Sequence, residues 1–147
     1  MRDVITIVIP SHPRYLSVIR AVTDRVGQIY EIDEKVVQDV RLAVDEACSN
    51  VIKHAYRGDT SQKIILKYSF RPDMLKIVIE DSGLKTQKES LKGRDLDDIR
   101  PGGLGIHFIK RVFDVFEMDD KKKKGNRLML VKHFCCPDIA NISTKSV

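Results

Sequence analysis

Two rhythms of apolar residues organise the chain. "VITIVI" at 4–9 is short and rich in β-branched residues, the composition of a strand. Leu16, Ile19, Val22, Val26 and Ile29 then recur at helical intervals, with Ser11 placed to cap that helix and Pro13 in a first turn that tolerates it. Gly27 and Asp33 punctuate its end. Asp33 reads as the N-cap of a second helix from about Glu34 to Tyr56, with Gly58 just beyond as a C-terminal stop. "KIILKYSF" (63–70) and "MLKIVIED" (74–81) flank the turn "RPD" and predict an antiparallel hairpin. The chain from 82 to 102 is polar and reads as a mobile loop, after which "GLGIHFIKRVFD" (103–114) resumes helical spacing. "VFEMDD" and "NRLMLVKHF" close the chain as a second hairpin. The order strand, two helices, two strands, loop, helix, two strands predicts an α/β (α+β) two-layer sandwich. Its mixed, largely antiparallel sheet carries the helices on one face.

A length of 147 residues fits a single domain over 1–147, with a polar, frayed tail over about 137–147. No apolar run approaches the roughly 20 residues of a membrane span, so no membrane segment and a cytoplasmic location are expected. Cys48, Cys135 and Cys136 are odd in number, without zinc spacing, and fit a reducing compartment. Much of the net charge of +5 sits in "KKKK" at 121–124. Set between "DD" and "GN" and lacking interleaved aromatics, this run reads as a solvated hairpin tip rather than a surface for direct nucleic-acid binding.

"DEACSNVIKHAY" (45–56) departs from simple packing. At 100° per residue, Val40, Val44, Ala47, Cys48, Val51, Ile52 and Ala55 cluster on a core face. Glu46, Asn50 and His54 form a row about 120° away, beside small Ala43. They are either ordinary polar residues at the helix border or a working ridge. In the second case the Asn50 amide oxygen is a hard neutral ligand suited to Mg²⁺, and the Glu46 carboxylate a general base.

Two downstream segments bear on that choice. "IVIEDSGL" (77–84) runs a strand into Asp81 and Gly83; an acid there can accept from a ligand's exocyclic amine, although "DSG" also suits a plain turn. "RPGGLGIHF" (100–108) places Gly102, Gly103 and Gly105 at a helix start, where backbone N–H groups attract phosphate. It is not a Walker loop.

Together, "DEACSNVIKHAY", "IEDSGL" and "RPGGLGIHFIKRVFDVFEM" resemble the N, G1 and G2 boxes of the GHKL (Bergerat-fold, histidine-kinase-like) ATPases. The nearest resemblance within them is to the serine-protein kinase and anti-sigma factor family, the RsbW type. The resemblance implies ATP and Mg²⁺ as cofactors, with Asn50 the metal ligand, Glu46 the catalytic base and His54 near the phosphates. It implies that Asp81 binds the adenine amine with Gly83 allowing close approach, and that Gly102, Gly103, Leu104 and Gly105 wrap the phosphates. An ATP lid would lie over about 84–102. Lys85 stands where many relatives have the second G1 glycine. The implied function is a Mg-ATP-dependent serine/threonine protein kinase that phosphorylates a STAS-domain anti-anti-sigma factor and sequesters a sigma factor, usually as a homodimer. Arg20 falls where the family contacts its partners. The alternative is a nucleotide-dependent binding module without kinase chemistry; Glu46 separates the two.

Overall fold

The computed structural model describes residues 3–87 and 104–134. The chain forms β1 (Asp3–Pro10), α1 (Leu16–Ile29), α2 (Glu34–Asn50), β2 (Lys63–Arg71), β3 (Met74–Asp81), α3 (Leu104–Val112), β4 (Val115–Met118) and β5 (Asn126–His133). The strands make one sheet in the order β1-β2-β3-β5-β4. Every pairing among the described residues is antiparallel, so the sheet is simpler than the mixed one expected.

Strand alternation decides which residues meet the helices. Ile64, Leu66, Tyr68 and Phe70 of β2 are buried, and Leu66, Tyr68 and Phe70 lie opposite Ile79, Ile77 and Leu75 of β3. Ile79 and Ile77 in turn lie opposite Leu128 and Leu130 of β5. This apolar face packs with Ile19, Val26, Val40, Val44, Cys48, Ile52 and Ile109 from the helices into one core. Each Val, Leu, Ile or Phe side chain in it contributes roughly 1.5–3 kcal/mol by leaving water. The Tyr68 hydroxyl, buried with them, shares a 2.8 Å hydrogen bond with Thr23. Cys48 is fully buried, and burial pushes its thiol up to about 12.

Four details differ from the sequence reading. Ser11 does not cap α1. It is buried, donating to the Asp59 carbonyl at 2.7 Å and accepting from the Gln62 N–H at 3.0 Å, while the His12 side chain accepts from the Arg14 N–H in the 3₁₀ turn that precedes α1. Ala43 is fully buried rather than marginal, because α2 packs against both α1 and α3 and therefore buries a wider arc than a helix covered on one side. Lys122 of the lysine run is not simply solvated: its ammonium donates to the Asp81 carbonyl at 2.9 Å.

The fourth difference is in the long helix. It keeps α geometry only to Asn50 and continues as one π turn over Val51–Ala55, closed by Tyr56 N–H on the Val51 carbonyl at 3.0 Å. Gly58, at φ +81°, then stops it as expected. Asp33 caps α2 as predicted, accepting from the Lys35 and Val36 N–H groups.

Candidate active site

One cavity of about 510 Å³ opens between α2, its π turn, the end of β3, α3 and the start of β5. Glu46, Asn50, His54, Asp81 and Gly105, from three separate sequence segments, all line it. Its size is that of a small-molecule site.

The π turn ties the two ends of this wall together. Its geometry leaves the Ala55 carbonyl to accept the Leu84 N–H at 2.8 Å, which pulls the loop after β3 against the end of α2. Gly83 permits that approach, because a β-carbon there would overlap the Ala55 backbone. The Tyr56 hydroxyl accepts the Ser82 N–H at 2.8 Å and donates to the Lys63 carbonyl, fixing the same loop from the other side.

Glu46 and Asn50 are half-buried on α2, one turn apart, whereas His54 is exposed at the rim. Across from Glu46, α3 begins with Leu104, whose side chain is about half exposed. Gly105 follows it and brings its backbone against the Glu46 carboxylate. Gly102, Gly103 and most of the expected lid lie outside the described residues. The first lid residues, Leu84 to Gln87, line the cavity, Lys85 among them. Lys85 and Arg57 place two cations in a lining that also holds the carboxylates of Glu46 and Asp81, and a polyphosphate could pair with them.

At the other end Asp81 is only 4% exposed, beside Ile79, Ile109, Met118 and Leu128 of the cavity lining. Burial raises its carboxyl above the ordinary carboxylate range, opposed by the Gly83 N–H, the Asn126 amide and the Lys122 ammonium. An acceptor at the edge of apolar walls suits a planar base carrying an amine.

The residues fit the implied cofactors. The Asn50 amide oxygen and the Glu46 carboxylate stand one helical turn apart on the cavity wall. The Asn50 amide oxygen suits a hard divalent ion that completes its shell with phosphate oxygens and water, and the Glu46 carboxylate beside it is left to act on a proton.

Arg20 lies apart from the cavity. Its guanidinium pairs with Asp45 of α2 at 2.6 Å, at the surface. Asn126 went unnoticed in the sequence, where "GN" reads as turn chemistry. The period-two run back from Leu130 through Leu128 reaches it and marks it as inward-facing.

Comparison with known proteins places the fold in a family. The family model for the histidine kinase-like ATPase domain matches residues 9–132. The chain is 32% identical over 126 residues to a serine-protein kinase RsbW of Listeria innocua, covering 78% of each chain. It is 30% identical to RsbW of Bacillus subtilis, with 76% of this chain and 75% of the relative covered. It is likewise 30% identical to RsbW of Staphylococcus aureus, with 95% and 92% covered. Among solved structures, the RsbU and RsbW domains of a Mycobacterium tuberculosis protein share the fold at a TM-score of 0.64 and 14% identity. That match takes in 88% of this chain and 31% of the other. The chain belongs to the histidine kinase-like ATPase domain family, within its serine-protein kinase RsbW group.

Proposed function

We propose that the chain binds Mg-ATP in this cavity and transfers the γ-phosphoryl group to a serine or threonine hydroxyl of a STAS-domain anti-anti-sigma protein. As a cytoplasmic homodimer, it also sequesters a sigma factor. The observation that carries the reading is the convergence of Glu46, Asn50, Asp81 and Gly105 on one cavity. The names of its relatives, serine-protein kinases, support the choice of acceptor.

Mg²⁺, when bound, neutralises phosphate charge. Asn50 would hold it, with His54 near the phosphates, and the N–H groups of Gly102, Gly103, Leu104 and Gly105 would bind them. Asp81 accepts the adenine amine, and Gly83 lets the base come close. Glu46 takes the proton of the acceptor hydroxyl as its oxygen bonds to the γ-phosphorus and the bond to the departing ADP breaks. Phosphoryl transfer needs little covalent help, so positioning and one base suffice. Arg20, held to Asp45, belongs to the partner-binding surface.

The test incubates the purified chain and Mg-ATP with each STAS-domain protein encoded in the same genome. The expected result is one phosphoprotein modified on serine or threonine, and a sigma factor complex that its unphosphorylated form disrupts. Failure to label any of them contradicts the proposal.

A further inference from the structure

Asn126 opens β5 directly across from Asp81; the two are register partners at the end of the β3–β5 ladder. Both continue the inward-facing rows of their strands, where apolar pairs give way to a polar one. Asn126 is 5% exposed, and its amide is fully engaged. Its Nδ2 donates to Asp81 Oδ1 at 3.0 Å and to the Leu84 carbonyl at 2.8 Å, and its Oδ1 accepts the Thr86 N–H at 2.7 Å. Lys122 fastens the same corner from the β4–β5 turn, donating to the carbonyls of Asp81 at 2.9 Å and Asn126 at 3.4 Å.

These bonds treat the two carboxylate oxygens of Asp81 unequally. Oδ1 accepts from both the Gly83 N–H at 2.9 Å and Asn126. Among the described residues Oδ2 has only a longer contact, 3.3 Å, to the same Asn126 nitrogen. A buried carboxylate with one saturated and one under-used oxygen has a defined orientation and a defined acceptor. We infer that Asn126 is a positioning residue that sets base specificity. By saturating Oδ1 and anchoring Leu84 and Thr86, it presents Oδ2 to the exocyclic N–H of a 6-aminopurine and disfavours a 6-oxopurine. This rests on the nucleotide reading above and extends it to a residue acting through Asp81.

The experiment is titration calorimetry of the full chain with ADP and with inosine diphosphate, whose bases differ only in amine against oxo at position 6 and the proton on N1 that the oxo form carries. The wild type is expected to favour ADP by at least about tenfold. Asn126→Leu removes the donor in a similar shape, and Asn126→Ser removes its reach without adding apolar bulk. In each variant ADP affinity is expected to fall by about ten- to 100-fold. Inosine diphosphate affinity should change by less than about twofold, so that discrimination collapses. Thermal unfolding checks the fold, and the Ser variant decides if the Leu variant does not fold. An equal loss for both nucleotides, the mark of a structural role, overturns the inference, as does unchanged ADP affinity. Absence of ADP binding in the wild type instead overturns the nucleotide reading, and this inference with it.

Discussion

Gly105, in the first turn of α3, packs its backbone directly against the Glu46 carboxylate of α2, so closely that a β-carbon at position 105 would overlap Glu46 Oε1. The acid proposed as catalytic base and the helix start proposed to bind phosphate are therefore in contact, and the side chain on the α2 side has a flexible end.

Gly105→Ala should consequently displace the Glu46 carboxylate rather than the fold. Phosphoryl transfer is expected to drop about 100-fold, the usual consequence of a misplacement near 1 Å. The melting temperature should stay within a few degrees of wild type. Steady-state phosphorylation alongside a thermal melt checks both, and a large loss of stability would show that α3 itself is displaced.

Gly83→Ala meets a different obstacle, because its β-carbon would strike the backbone of Ala55, which cannot rotate away. The Leu84 N–H bond to Ala55 would open with it. A destabilisation of about 1–3 kcal/mol is expected, read by denaturant unfolding, together with weaker ADP binding. Unchanged stability would mean that the loop after β3 is not held against the π turn.

This contrast marks how far the sequence could be read. Glu46, Asn50, Asp81 and Gly105 were legible because each sits on a regular element or its end, where spacing fixes direction. The π turn was not, since no side-chain pattern encodes it; it is stabilised in part by a bond to Leu84, which lies far along the chain. Asn126 was hidden for a similar reason. Its partner Asp81 is 45 residues away, and only the β3–β5 register, in a sheet whose last two strands are exchanged in order, brings them together.

Asp81→Asn tests the electrostatics of the base end. The Asp81 carboxyl is raised above its ordinary 3.8, so in the window from about that value up to the raised one the native protein keeps a proton that the unfolded chain has released. Asp81 therefore lowers stability as pH rises through the window. Relative to wild type, Asp81→Asn should be more favourable to stability at pH 7 than at pH 4, while ADP binding is lost. Unfolding curves at both values check the sign, and a variant relatively less stable at pH 7 would contradict it.

The central claim is that α2 carries a base as well as a metal ligand, and Glu46→Gln tests it most directly. The substitution keeps the shape of the side chain and removes its ability to take a proton. Phosphoryl transfer to the STAS-domain substrate and ATP binding, measured on the same preparation, should separate: transfer falls at least about 100-fold while ATP affinity stays within a few-fold of wild type. Transfer at the wild-type rate in Glu46→Gln would contradict the account and leave the cavity as a nucleotide-binding site whose base, if any, lies elsewhere.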